Sequence, residues 1–285
     1  MAGGSVSNFK AKRNLGTRLR ELRGKEFAQD VGRRINLSAS QVTRIEKGER
    51  NCTREVLDRL LEYYKVTAQE AAELSALAQQ VWDAEPPWWR EYKDVVSPGY
   101  AELLERESDA IERLDYHPVM VPALLQTESY SRAVTGVGFA SLGPDQVDDL
   151  VVVRAMRQRR IHEPPLLSNH SVFTEAALRF EIGDPTARHA QLDHLLDMAK
   201  LPNVRINVVP YRGGPEGIHV SSFGILRYEE PEPDVAFVHS VLGTEMKTAP
   251  RDTKKLNRLF RDLTRVALNA DDSCELISEI KRKLD

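Results

Sequence analysis

A short segment near the N-terminus collects side chains that can hydrogen-bond to DNA bases and pair with phosphates. Hydroxyls and a guanidinium can read base edges in the major groove, and an ammonium can neutralise a phosphate. Side chains at these spacings share one face if the segment is helical. The pattern predicts a helix that reads DNA, and the alternative is a helical hairpin with a solvated polar face. The residues with this chemistry are Ser40, Thr43, Arg44 and Lys47.

Two short helices are predicted just before this segment. Apolar residues recur at helical spacing over residues 15–22 and again over residues 27–35. The second helix is expected to bury Phe27, Val31 and Ile35. Asn36 follows it, and asparagine tolerates the left-handed backbone conformation that a tight turn between helices needs. The order of elements is therefore helix, turn, helix.

The third helix is predicted over residues 38–47, with a defined start. Ser38 is a good N-cap, and Gln41, three residues later, completes a capping box. Val42 and Ile45 lie on the side that must pack against the other helices. This leaves the polar side free, and the free N–H groups at the helix start suit a phosphate. The predicted DNA-binding residues are Ser38, Ala39, Ser40, Gln41, Thr43, Arg44, Lys47, Arg50 and Asn51. Arg50, Asn51 and Arg54 are expected to reach the DNA backbone.

The charge of the chain is distributed unevenly. The formal net charge is −3, with 40 Lys and Arg against 43 Asp and Glu. Residues 1–65 contain 15 basic and 8 acidic residues, whereas residues 66–285 contain 25 and 35. A basic head on an acidic body is typical of a protein whose head alone meets a polyanion.

The basic head also resembles a known family. The stretch "LGTRLRELR…DVGRRINLSASQVTRIEKGER…LLEYYKV", over residues 14–66, is similar to the Cro/repressor-type (xenobiotic-response-element) helix-turn-helix, and "SQVTRIEKGER" is its most specific part. The resemblance implies binding to double-stranded DNA. The connection over residues 24–29 is shorter than is usual in the family, which leaves open whether Gln29 replaces the family's DNA-contacting glutamine at the start of the second helix.

The rest of the chain is expected to form a separate α+β domain. We predict a helix-turn-helix domain over residues 1–83, a Pro/Trp-rich linker over 84–100 and a regulatory and dimerisation domain over 101–285. The fold class is thus an all-α N-terminal helix-turn-helix domain followed by an α+β C-terminal domain. In the second domain helices are predicted over 101–114, 126–135, 144–161, 174–182, 185–200, 251–268 and 272–284, and strands over 166–173, 204–210, 219–228 and 235–241.

The C-terminal region carries a resemblance of its own. The stretches "AEPPWWREYKDVVSPGY" and "VPALLQTESY", together with the preceding helix-turn-helix, resemble the Scr1-type, antitoxin-like regulators of actinobacteria. That resemblance implies a regulator that is often paired with a small acidic or neutral partner protein. It does not imply a particular ligand.

The C-terminal region contains few residues whose types and spacing could form a catalytic site. The histidines have no carboxylate at a recognised metal-ligand spacing, so each is expected to be structural or exposed. The Gly-rich stretch at 211–219 lacks the Lys-Ser/Thr of a phosphate loop and is interpreted as a loop between strands. The basic run at 154–160 is interpreted as a solvated helix face, with contact to DNA or a partner as the alternative. No catalytic residue, cofactor or metal is expected.

Two functions from different classes remain. The first is a sequence-specific DNA-binding transcriptional regulator, which binds a palindromic operator as a homodimer and whose C-terminal domain binds a protein partner or a small effector. The second is an enzyme of unknown reaction that its head targets to DNA. No apolar run is long enough to span a membrane, and none has the character of a signal peptide. Cys52 and Cys274 are far apart in sequence and suggest no disulfide framework. We therefore expect a cytoplasmic, nucleoid-associated protein.

Overall fold

The structure, a computed structural model, describes residues 8–138, 142–217, 219, 221–240 and 242–284. The chain divides between Pro87 and Trp88 into two compact units. The predicted domains and the predicted strand ending at Val241 include positions that lie outside the described residues. An all-helical N-terminal unit precedes a C-terminal unit with a six-stranded sheet, and this confirms the predicted fold class.

The N-terminal unit is a bundle of helices around one apolar core. Leu19, Val31, Val42, Ile45 and Leu57 are buried together in it. Most of these residues recur at helical spacing in the sequence, which explains why the periodicity located the helices. The described helices are α1 (Asn8–Arg23), α2 (Ala28–Ile35), α3 (Ala39–Glu46), α4 (Arg54–Tyr64) and α5 (Ala68–Asp83).

One expectation about this core is wrong. Phe27, predicted to be buried, is 76% exposed. It lies at the N-cap of α2, outside the helix, so its side chain does not follow the apolar stripe that Val31 and Ile35 continue. The helical pattern thus holds only from Ala28 onward.

The C-terminal unit alternates helices and strands. Its described α-helices are α6 (Pro98–Glu107), α7 (Glu128–Gly138), α8 (Pro144–His162), α9 (Ala176–Arg179), α10 (Pro185–Met198), α11 (Pro250–Val266) and α12 (Ala270–Arg282). Its strands are β1 (Glu112–His117), β2 (Ser168–Thr174), β3 (Val204–Val209), β4 (Phe223–Arg227), β5 (Val235–Ser240) and β6 (Gly243–Lys247).

The six strands form one mixed sheet in the order β3-β2-β1-β4-β5-β6. β1, β2 and β3 are parallel, and the connections between them contain helices, as parallel pairing requires. β4, β5 and β6 extend the other side of β1 in antiparallel fashion. β1 therefore lies at the centre of the sheet, covered on both faces.

Successive side chains of a strand point to opposite faces of the sheet, so the strands contribute side chains to two separate apolar cores. On one face Phe173, Ile206 and Phe237 pack with residues of α6, α7, α8, α10 and α12. On the other face Tyr116 and Ile225 pack under α11. The sheet is thus the middle layer of the unit.

The predicted segment at 84–100 contains a 3-10 helix, Trp88–Tyr92. Its two tryptophan rings meet edge to face, with centroids 5.5 Å apart. They pack near Leu104 of α6 and Val153 of α8. The aromatic residues of this segment therefore contribute to the core of the C-terminal unit.

Two predicted helices of the C-terminal unit differ from the structure, and one observed strand was not predicted. The helix predicted over 101–114 ends at Glu107, and β1 begins at Glu112. The helix predicted over 174–182 is only the four residues Ala176–Arg179. The strand β6 was not predicted, because Gly243–Lys247 has no apolar alternation to mark it.

Candidate nucleic-acid interface

The turn between α2 and α3 has the conformation that the sequence predicts. Asn36 lies in the left-handed region, with φ 58° and ψ 48°, and its N–H donates to the Gly32 carbonyl. A Cβ at Gly32 would come within 2.5 Å of the Leu37 carbonyl oxygen, so the turn needs a residue without a side chain there. These two residues set how closely α3 follows α2.

The N-terminus of α3 is fixed by a complete capping box. The Gln41 N–H donates to the Ser38 hydroxyl at 3.2 Å, and the Ser38 N–H donates to the Gln41 side-chain oxygen at 2.8 Å. These two side chains therefore satisfy backbone groups at the helix start. Ala39, beside them, is half-buried at the first helical position.

The outer face of α3 carries most of the predicted DNA contacts. Ser40, Arg44 and Lys47 are exposed, and Arg50 and Asn51 are exposed just beyond the helix. Among the described residues none of these five side chains has a hydrogen-bond or ion-pair partner. The half-buried Thr43 is different, because its hydroxyl donates to the Ala39 carbonyl at 2.9 Å.

The inner face of α3 is held by apolar packing and by one ion pair. Val42 and Ile45 are buried in the core, as predicted. Glu46 is only 8% exposed and pairs with Arg23 of α1 through two hydrogen bonds, Nε–Oε1 at 2.5 Å and Nη2–Oε2 at 2.8 Å. Sequence reasoning missed this pair, although the position of Glu46, four residues after Val42, already indicated the buried face.

The backbone of α3 also packs closely against α1. A Cβ at Gly16 of α1 would lie 2.5 Å from the Glu46 carbonyl oxygen and 2.6 Å from that of Ile45. Gly48 ends the helix with φ +72°, a conformation that favours glycine. The C-terminal end of α3 therefore rests directly on α1.

Two further residues, Gln29 and Arg54, lie before and after α3 in the sequence. Gln29 is exposed at the second position of α2. Arg54 does not extend freely toward a ligand, because its guanidinium lies 4.8 Å from the Trp82 ring centroid and donates to Gln79 at 3.2 Å. The exposed basic side chains at the end of α3 are thus Lys47 and Arg50.

Most of the basic run of α8 is directed to the interior of the C-terminal unit, so the interpretation as a solvated helix face is wrong for Arg154, Arg157 and Arg160. Arg157 is buried and binds the Glu107 carboxylate through two hydrogen bonds of 2.8 Å. Arg154 donates to Ser131 and Thr135, and Arg160 donates to carbonyls at the end of α6, including that of Ala110. Only Arg159 matches a solvated face, with Glu163 3.5 Å away.

The buried pair of Glu107 and Arg157 is part of a larger ion cluster under β1. Arg113 is 1% exposed; it pairs with Glu107 and also binds Asp115 at 2.6 and 2.9 Å. Burial would raise the pKa of Glu107, but the two guanidiniums outweigh it and lower that pKa to about 2. Gly224 makes room for the cluster, because a Cβ there would lie 2.8 Å from an Asp115 oxygen.

Two imidazoles adjoin this cluster. The ring centroids of His117 and His239 are 6.0 Å apart, and both ring nitrogens of His117 are buried with no hydrogen-bond partner in the part of the chain that the structure describes. Burial is the largest cause that lowers the pKa of His117 to about 4 and that of His239 to about 3; Arg113 contributes to the lowering of both, and Asp115 partly offsets it. Both side chains are therefore neutral at physiological pH.

These imidazoles predict a loss of stability in mild acid. In the unfolded chain a histidine titrates near pH 6.5, at about its reference pKa. As the pH falls from there toward the folded-state pKa of His117, about 4, the unfolded chain binds a proton that the folded chain excludes. The free energy of unfolding should fall by about 3 kcal/mol from His117 alone.

Urea denaturation of the wild type and of His117→Leu across this range measures the effect. The variant should show a flatter pH dependence, whereas a variant at the exposed His162, His162→Gln, should behave as the wild type does. If His117→Leu loses as much stability in acid as the wild type, the assignment of the effect to His117 is wrong.

The remaining candidates have structural roles. His170 lies 2.7 Å from the Asn207 side-chain oxygen. The Gly-rich stretch after β3 forms two 3-10 turns, Tyr211–Gly213 and Pro215–Gly217, and leads toward β4. Both cysteines are free. Among the described residues no helix is long and apolar enough to cross a bilayer.

Comparison with known families agrees with the two units. Residues 14–74 match a family described as a helix-turn-helix domain. Residues 100–279, more than half of the chain, match a family described as a domain of unknown function, DUF5753. No curated protein matches the chain, and no solved structure matches it. The chain belongs to the DUF5753 family and carries a helix-turn-helix domain ahead of the domain that defines that family.

Proposed function

We propose that this protein is a transcriptional regulator that reads double-stranded DNA with α3. The observation that supports this most directly is the outer face of that helix. Ser40, Arg44 and Lys47 are exposed there, free of partners among the described residues, on a helix whose other side is fixed by a capping box, apolar packing and an ion pair. Preorganised donors of this kind suit base edges and phosphates.

Within this proposal the regulator is of the Cro/repressor type with a Scr1-type, antitoxin-like C-terminal domain, as in actinobacteria. It acts in the cytoplasm, on the nucleoid. Because Ser38 and Gln41 are occupied in the capping box, they position the helix start, and its free N–H groups take a phosphate. Ala39 leaves the groove side unobstructed, and Thr43 offers its hydroxyl oxygen as an acceptor.

Arg44→Ala should weaken operator binding and relax specificity at one position of the site. A side chain bonded to a base edge contributes about 1–3 kcal/mol, or roughly a fivefold to 150-fold change in Kd. Lys47→Ala should instead weaken binding to all sequences alike and flatten the salt dependence. Fluorescence anisotropy on the operator and on single-base variants of it distinguishes the two. Normal operator binding by Arg44→Ala would remove Arg44 from this role.

The regulator should bind its operator as a symmetric dimer. One recognition helix contacts few base pairs, so proteins of this kind read two half-sites about one helical turn apart. If residues 88–285 hold the dimer together, a fragment of residues 1–87 should bind the full site far more weakly than the intact protein does. Light scattering and the stoichiometry on DNA measure this. A monomer bound singly to its operator contradicts it.

The C-terminal unit, in this account, binds a small partner protein or a small effector and performs no catalysis. A ligand changes operator affinity only if it binds one arrangement of the dimer better than another, and such coupling is typically about 1–3 kcal/mol. Operator titration with and without the products of neighbouring genes tests this. Turnover of a substrate, with no effect of any candidate on operator affinity, would favour the enzyme alternative.

A further inference from the structure

A row of basic side chains runs along the outer face of α11. At about 100° per residue these side chains occupy a sector of about 120°, and ten residues of helix span about 15 Å. This is close to the axial rise of four phosphates along one DNA strand, at about 3.4 Å each. All of them are exposed. The residues of this α11 basic stripe are Arg251, Lys254, Lys255, Arg258 and Arg261.

The stripe is unusual for this unit because it groups five basic side chains that have no partner among the described residues on one face of a single helix. Among the described residues none of the five has an ion-pair or hydrogen-bond partner on its side chain. On other helices of the unit, exposed basic residues commonly have an acidic partner within one turn. Arg132 pairs with Glu128, Arg159 with Glu163 and Lys200 with Asp197. Residues 66–285 are acidic as a whole, so this basic row stands out.

The inner face of α11 makes the stripe a fixed surface. Phe260 and Leu263 are buried against the sheet, and Leu256 and Leu259 pack beside them. Thr253 is also buried near the start of the helix, where its hydroxyl lies 3.3 Å from the Ala249 carbonyl. The backbone that carries the stripe is therefore anchored along its whole length.

We propose that the α11 basic stripe is a second DNA-binding surface, which contacts phosphates of the duplex beside the operator without reading sequence. This inference rests on the proposed function of the N-terminal unit. A protein interface usually needs aromatic or aliphatic anchors at its centre. No large hydrophobic side chain of α11 is among the exposed ones of the described chain. Binding to DNA phosphates needs only positive charge.

The test compares two triple variants of the full chain with equal loss of charge. The stripe variant is Lys254→Gln, Arg258→Gln and Arg261→Gln together. The matched control variant carries Arg90→Gln, Lys93→Gln and Lys283→Gln, at basic positions that are also exposed and without partners among the described residues. Circular dichroism melting checks that both remain folded.

Two duplexes are used as probes. One is the genomic site captured with the wild type, trimmed to about 20 base pairs, the length of two half-sites. The other has mixed-sequence flanks that make it about three times longer. On the long duplex the stripe variant should bind about tenfold more weakly at low salt, with a salt slope smaller by about 2–3, because each lost phosphate contact removes about 0.9. On the short duplex the loss should be much smaller.

Equal affinities and equal salt slopes for the stripe and control variants on the long duplex overturn the inference. If poly-glutamate then binds the wild type but not the stripe variant, the α11 basic stripe binds an acidic protein and not DNA. Arg44→Ala, measured in parallel, keeps the two proposals apart. If Arg44→Ala binds the short duplex normally, the role of α3 fails whatever the stripe does.

Discussion

Glu107→Gln is expected to lower the free energy of unfolding of the C-terminal unit by about 3–5 kcal/mol, since it leaves buried guanidinium charge uncompensated. The Glu107 carboxylate accepts hydrogen bonds from both Arg113 and Arg157, and its low pKa, about 2, reports how strongly they favour its charged form. The shift from an ordinary value corresponds to about 3 kcal/mol. Urea denaturation followed by circular dichroism measures the loss.

A matched control uses an exposed ion pair. Glu163→Gln removes the partner of Arg159 on the surface of α8, where both side chains are more than half exposed. Such pairs contribute well under about 1 kcal/mol. If Glu107→Gln costs no more than Glu163→Gln, the cluster under β1 does not stabilise this unit as described.

Glu46→Gln should have the second large effect, a loss of about 3 kcal/mol in the stability of the N-terminal unit. Glu46 is the inner-face partner of Arg23, and both side chains are largely buried. Its removal loosens the contact of α3 with α1 while leaving the outer face unchanged. The melting temperature of the unit should therefore fall, and operator binding should be lost at temperatures where the wild type still binds.

The control for this variant is Glu49→Gln, three positions beyond the end of α3, where the side chain is exposed and has no partner among the described residues. It should melt as the wild type does. If Glu46→Gln also melts normally but binds the operator poorly, Glu46 acts at the DNA surface itself, and the positioning role assigned to it is wrong.

The helix-turn-helix could be predicted because its signals are local. The capping box at Ser38 and Gln41 and the left-handed Asn36 are set by residues within one or two turns, and all three are observed. The ion pair of Arg23 and Glu46 joins residues 23 positions apart, so no local pattern could pair them. Only the helical position of Glu46 gave a signal, since charged residues on a buried face must find a partner.

The C-terminal unit was harder to predict because its central strand is not apolar. Arg113, Asp115 and His117 alternate with Leu114 and Tyr116 in β1, and a polar face of this kind normally faces water. Here that face is buried by α6 and α8. The charges that neutralise it come from residues distant in sequence, so the helix predicted over 101–114 overlaps the start of β1 and the strand itself is not predicted.

The most direct test of the central claim is capture of the genomic DNA bound by the wild type and by Arg44→Ala. The account predicts that wild-type sites share a palindrome with half-sites about one helical turn apart. It also predicts that Arg44→Ala sites lose the preference at one position of each half-site. A wild-type protein that enriches no common sequence, or a variant whose sites show the same motif unchanged, would contradict the assignment of α3 as the DNA-reading helix.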